Sequence, residues 1–202
     1  MENDLRSKIF LDEEVKVAEN LTIVSKTDTY GTIVYMNDVF ERISEYNKLE
    51  LIGEPHNIVR HPDMPKVIFK LLWSNLKIGK NFHAIIKNVT RSGRYYWVIT
   101  DFTINKDNQG KTISYTGRRK AIPKAVKKEI EILYKDLLDI EKIKGEKASE
   151  NYLQGYLQEE IGKEFNEYII DLFNRESKID TNNKTKNKIA KGLNWFFFGD
   201  FA

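Results

Sequence analysis

The sequence predicts an α+β fold: a five-stranded antiparallel sheet with helices on one face, followed by a C-terminal helical extension. Three observations predict it. Two β-branched runs closed by a glycine turn open the pattern, three longer β-type runs separated by RSG and KDNQG close it, and two helically spaced segments lie between. Beyond Pro123 the composition becomes strongly helical.

Residues 1–20 read as a short amphipathic cap, with Leu5, Ile9, Val15 and Val17 as its apolar positions. From Leu21 the period changes to two. LTIVSKT and TIVYMN flank the turn residues Asp28, Tyr30 and Gly31, which predicts a hairpin. NDVFERISEY places Val39, Phe40, Ile43 and Tyr46 at helical spacing, with Asn37 or Asp38 positioned to cap the first turn. LIGEPHNIVRHPDMP holds three of the four prolines, so it predicts a shaped loop with one or two helical turns. PKVIFKLLWSNLKIG carries a strong apolar face and ends on Gly79 as a C-cap, which predicts a second helix. NFHAIIKNVT, RYYWVITDFTIN and KTISYTGRRKAI then form a meander joined by hairpin turns.

In the extension, Val126, Ile130, Leu133, Leu137 and Ile140 alternate spacings of four and three. That stripe fits either a coiled-coil seam or a helix packed back on its own sheet. Gly145 breaks it, and a second helix is predicted from about Ser149 to Arg175. The organisation is therefore a cap (1–20), a sheet domain (21–122), a helical extension for signalling or docking (123–175), and a polar linker with an aromatic tail (176–202). The tail packs Trp195, Phe196, Phe197, Phe198 and Phe201 close together, a cluster that either returns to the core or docks a partner.

The 202 residues contain no cysteine, which excludes disulfides, thiolate nucleophiles, iron–sulfur clusters and Cys-type zinc sites. The 33 basic and 30 acidic residues are interleaved, so nothing drives binding to nucleic acid. No apolar run approaches the roughly 20 residues of a membrane span, and the acidic N-terminus lacks a signal-peptide pattern. The expected location is cytoplasmic. No nucleophile elbow, P-loop, HExxH, kinase signature or GxGxxG is present, so no enzyme is expected.

Chemistry concentrates in HNIVRHPDMP. Arg60, His61 and Asp63 place a guanidinium, an imidazole and a carboxylate within four residues of a proline-restrained loop. Arg60 can hold a phosphate or carboxylate, and Asp63 can accept from a ring N–H or a ribose. Alternatively Arg60 and Asp63 pair and brace the loop. Asn37 and Asn88 offer amides toward a heterocycle edge, and Phe69, Trp73, Phe82, Tyr95, Tyr96 and Trp97 offer aromatic walls or plain core. His56 and His61 lack the spacing of a metal pair.

YMNDVFERISEY, LIGEPHNIVRHPDMPKVIFKLLW, GKNFHAIIKN and SGRYYWV together resemble a PAS domain of the aerotaxis-receptor (Aer) type, over about residues 23–120. The resemblance implies a PAS fold with FAD bound through Asn37, Arg60, His61, Asp63, Phe69, Trp73 and Asn88. It departs from the family at Phe82, where a tryptophan is usual, which weakens stacking there. Such receptors continue into an anchor and a signalling domain. This chain resembles instead the separate PAS proteins of split energy-taxis systems, of the CetB kind. That implies a redox or energy sensor working with a membrane-bound, HAMP-containing methyl-accepting signalling protein in trans, placed beside the inner membrane through that partner, with a homodimer as a further assembly. Three other readings remain: a ligand-free PAS adaptor, a flavoenzyme, and a haem domain with His61 or His83 as axial ligand.

Overall fold

The computed structural model describes residues 9–180. The five strands are β1 (Ile23–Thr27), β2 (Ile33–Met36), β3 (Phe82–Val89), β4 (Tyr95–Lys106) and β5 (Thr112–Lys120). They form one antiparallel sheet in the order β2-β1-β5-β4-β3. The hairpin and the meander meet where β1 pairs with β5, with Ser25 opposite Gly117. Gly31 takes φ +90 in the first turn, where Asp28 Oδ1 accepts from the Tyr30 and Thr32 amides.

Between β2 and β3 lie α1 (Asp38–Ser44), α2 (Lys48–Leu51), a 3₁₀ turn (His56–Val59) and α3 (Lys66–Lys77). These cover one face of the sheet, as the sequence predicts. On that face strand alternation places Ile23, Ser25, Ile86, Asn88, Val98, Phe102, Gly117 and Arg119. Asn37 caps α1 with Oδ1, accepting from the Phe40 amide at 3.1 Å.

The extension comprises α4 (Lys124–Lys144), α5 (Glu146–Gly155), a π-helical turn (Tyr156–Ile161) and α6 (Phe165–Asp180). The apolar stripe of α4 packs back on its own sheet: Val126, Ile130, Leu133 and Leu137 are buried. Tyr134 on the same helix donates to the Ile85 carbonyl at 2.8 Å, and its ring lies 6.2 Å from Trp97. Ile85 and Trp97 sit on the sheet face opposite α3, so α4 closes that second face. Each of these buried side chains contributes roughly 1.5–3 kcal/mol.

The single helix predicted from Ser149 to Arg175 is two helices. Gly162 adopts φ 67 and its N–H reaches the Leu157 carbonyl, which ends the first; α6 then runs on to Asp180. A glycine inside an amphipathic pattern reads as tolerated, and only the backbone shows it acting as a terminator. α6 covers the outer edge of β3, where Phe165 stacks on Phe82 at 5.7 Å and Asn166 Oδ1 accepts from the His83 amide. The loop around Met64 covers the rest of that edge: the His61 amide reaches the Lys87 carbonyl, and the Lys87 amide reaches Met64 Sδ. Covering the edge protects it from pairing with another chain. The predicted aromatic tail and Leu5 lie outside the described residues.

Candidate functional site

Between α3 and its face of the sheet lies a cavity of about 350 Å³, within the range of small-molecule sites. One wall is α3, through Phe69, Leu72, Trp73 and Leu76. The other is the sheet, through Ser25, Thr27, Ile86, Asn88, Phe102, Tyr115, Gly117 and Arg119; Tyr30, Gly31, Pro55, His56, Asn57 and Arg60 complete the lining. Trp73 meets Tyr115 edge-on at 5.7 Å, so α3 and β5 share an aromatic corner.

The polar centre of this wall is Arg119. It is 3% exposed, and its guanidinium donates from Nη1 to Ser25 Oγ (3.0 Å) and the Gly117 carbonyl (3.1 Å) and from Nη2 to His56 Nε2 (2.9 Å). All three acceptors are neutral. No carboxylate pairs with Arg119 among the described residues, and burial lowers its pKa to about 10. His56 is held neutral, its pKa lowered to about 3 by burial and then by the Arg119 charge. Because arginine only donates, His56 Nε2 must accept, and Ser25 Oγ, at 2.9 Å from the same nitrogen, donates to it. Gly117 makes this arrangement possible: a Cβ there would stand 2.7 Å from Arg119 Nη2.

A buried guanidinium without a counter-charge is costly, and it favours a ligand that carries or acquires negative charge. A second buried donor lines the same cavity. Asn88 is 3% exposed and lines the cavity, and its Nδ2 has no hydrogen-bond partner. Together with aromatic walls, these groups suit a planar heterocycle that presents acceptor atoms and bears negative charge.

Four of the eight residues singled out from the sequence reach the cavity: Arg60, Phe69, Trp73 and Asn88. Arg60 packs its guanidinium 4.0 Å from the Phe69 ring centre and donates to the Met64 carbonyl. It does not pair with Asp63, so the bracing alternative fails. The other four point elsewhere. Asn37 spends its amide on the backbone, accepting from Val24 and Phe40 and donating to the Thr22 carbonyl. His61 is buried on the far side of the loop against Phe10 and Tyr95, its Nδ1 accepting from the Asp63 amide. Asp63 is exposed and bonds Lys87 Nζ at 2.7 Å. Phe82 stacks on Phe165 outside the cavity.

His83, like His61, does not line the cavity; it sits on the opposite face, 3.3 Å from Asp101. No group of three or more His, Cys, Asp or Glu side chains fit to hold a metal ion occurs among the described residues. No helix among them is long and apolar enough to cross a membrane. The residues that the sequence reading missed, His56, Ser25, Gly117 and Arg119, come from three separate segments. Strand parity was the available signal: a Gly-x-Arg pair in β5 shares the face of Asn88.

Residues 33–119 match a family model described as the PAS fold, and the sheet and its helices are that fold. The chain is similar to the aerotaxis receptor of Escherichia coli, 37% identical over 125 residues, which are 62% of this chain and 24% of that protein. It is also similar to the bacterioopsin transcriptional activator of Halobacterium salinarum, 27% identical over 97 residues, or 48% of this chain and 14% of that protein. Among solved structures, one titled as an RNA-binding light-oxygen-voltage receptor superposes with a TM-score of 0.50 at 18% identity, covering 57% of this chain and 34% of that one. The chain thus spans a quarter or less of the curated relatives it matches.

Proposed function

We propose that this chain is a redox or energy sensor of the aerotaxis class, with FAD held at the cavity between α3 and the sheet. The observation that carries the reading is Arg119, buried in the cavity wall without a carboxylate among the described residues, with the unpartnered Asn88 amide elsewhere in the same lining. Likeness to an aerotaxis receptor over 62% of the chain supports it. A bound flavin supplies a reversible two-electron couple whose charge and hydrogen-bonding edge change on reduction.

The protein's own residues then do the discriminating. Arg119 stabilises added negative charge, and Ser25 and His56 hold its guanidinium in place. Asn88 offers a donor to a ring acceptor. Phe69, Trp73 and Tyr115 exclude water and keep a planar group between α3 and the sheet. No turnover is required: a ligand state that engages Arg119 or Asn88 differently shifts the population between two arrangements of α3. Output passes to a membrane-bound, HAMP-containing methyl-accepting signalling protein in trans, from a location in the cytoplasm.

The test is an absorption spectrum of the purified protein, with the cofactor released by heat and identified. Flavin bands that bleach under reductant, with FAD in the supernatant, are expected. A colourless protein that also refuses added FAD overturns the reading and leaves a ligand-free PAS adaptor, in which Arg119 keeps only the neutral acceptors Ser25, His56 and the Gly117 carbonyl.

A further inference from the structure

The pocket helix α3 begins without a cap of its own. Its N-cap residue is Pro65, which has no side-chain acceptor, and its first turn holds no acid. The missing acceptor comes from the extension: Glu141 on α4 accepts from the Lys66 amide with one carboxylate oxygen and from the Val67 amide with the other, each at 3.0 Å. Glu141 stands in the last turn of α4, where its charge opposes that helix's own dipole. It is misplaced for α4 and well placed for α3.

One further carboxylate repeats the link. Glu150 on α5 bonds Lys70 Nζ on α3 at 2.9 Å. Burial lowers the pKa of the Arg60 guanidinium at the cavity wall, and the charges of Glu141 and of Glu146, at the start of α5, act against that. α5 is itself fastened to α4 by Ser149 Oγ, which donates to the Leu137 carbonyl at 3.1 Å. The helix that carries Phe69, Leu72, Trp73 and Leu76 into the cavity packs on β3 and the core, and the polar bonds at its N-terminus tie it to the C-terminal pair.

We infer that Glu141 is the positioning residue that couples the cavity to the C-terminal helices, so that α3 and the α4–α5 pair move as one equilibrium. Where this concerns flavin state it rests on the function proposed above. The coupling itself requires no ligand.

The experiment is a double-mutant cycle on the full chain, read by amide hydrogen exchange. Trp73→Leu disturbs α3 from the cavity side, and Glu141→Ala cuts the link. Trp73→Leu is expected to speed exchange in α5 about fivefold when Glu141 is present and less than twofold when it is absent, the size set by one lost helix cap. Pro65→Ser is the control. Added to Glu141→Ala, it gives α3 a local cap, so Val67 regains protection while the response in α5 does not return.

Equal α5 responses with and without Glu141 would overturn the inference, as would an α5 response restored by Pro65→Ser. Should Trp73→Leu fail to fold, Phe69→Leu perturbs the same wall. A chain that takes no FAD defeats the proposed sensor, yet the cycle still decides the coupling. In FAD-loaded protein, reduction is expected to change exchange in α5 only while Glu141 is present, and a change that survives Glu141→Ala counts against the link.

Discussion

Arg119 Nη2 donates to His56 Nε2 at 2.9 Å although 63 residues separate them in the chain. The bond joins β5 to the 3₁₀ turn and fixes the polar end of the cavity. The charge state of the pair follows from its setting: burial first, and then the guanidinium, keep the imidazole neutral, and the imidazole offers the guanidinium a neutral acceptor in place of a carboxylate.

Gly117→Ala tests how tightly that guanidinium is held. The new Cβ would lie 2.7 Å from Nη2 and 3.1 Å from Cζ, and Ser25 and His56 block the easy way out. The substitution is expected to destabilise the fold by about 1–3 kcal/mol in urea unfolding. In an Arg119→Ala background the cost should fall below about 1 kcal/mol, since the overlap is then gone; an undiminished cost would show that the strain lies in the backbone.

Acid should weaken the protein through His56. In the folded chain its pKa is about 3, and in the unfolded chain it is near the ordinary 6.5. Between those values the unfolded state binds the extra proton, so stability rises with pH across that window and is fully present above 6.5. The contribution to the slope is about 1.4 kcal/mol per pH unit. Buried His61, lowered by burial and by Lys87, acts in the same sense. Asp101, raised to about 6 by burial, acts in the opposite sense between 3.8 and 6, because its folded carboxyl keeps a proton there. Unfolding free energies of wild type and His56→Gln from pH 7 to 4.5 isolate the histidine: the two curves should converge as pH falls, and parallel curves would refute the assignment.

Asn88→Leu separates binding from folding. The Nδ2 donor has no partner, so its loss should leave the stability of ligand-free protein within about 1 kcal/mol, or raise it. Retention of FAD should weaken about tenfold or more, measured by equilibrium dialysis. Unchanged retention would remove Asn88 from the site.

Tyr134→Phe probes the closure of the second sheet face. The hydroxyl donates to the Ile85 carbonyl at 2.8 Å in a fully buried setting. Its removal should cost about 1 kcal/mol at an unchanged denaturant slope, because one buried bond is lost while the ring keeps its packing on Trp97. A loss of slope would instead mean that α4 had left the sheet.

Local pattern alone was enough for most of the elements. Alternating β-branched residues, turn residues at Asp28 and Gly31, and the apolar face of PKVIFKLLW each encode a near-neighbour preference, and the five strands and α3 lie where those preferences put them. The helix end at Gly162 was not legible, because the same residue type passes inside a helical pattern as readily as it stops one. The RHPD loop was legible as a concentration of chemistry but not in its direction. Its backbone runs along the edge of β3, which turns Arg60 toward the cavity and turns His61 and Asp63 toward Tyr95 and Lys87.

The alternation of strand and helix, the hairpin turns, the pocket helix and the family likeness all depend on residues close together in the chain, and so they are written in its local pattern. Which polar groups share a wall depends instead on how distant segments pair. Ser25, His56 and Arg119 meet because β1 pairs with β5 in one register and the 3₁₀ turn lies over both, and a shift of one residue would send Arg119 to the opposite face. The cap that Glu141 places on α3 has the same origin. Its two hydrogen bonds span 75 and 74 residues, and no local preference can specify a contact made only after the sheet has closed.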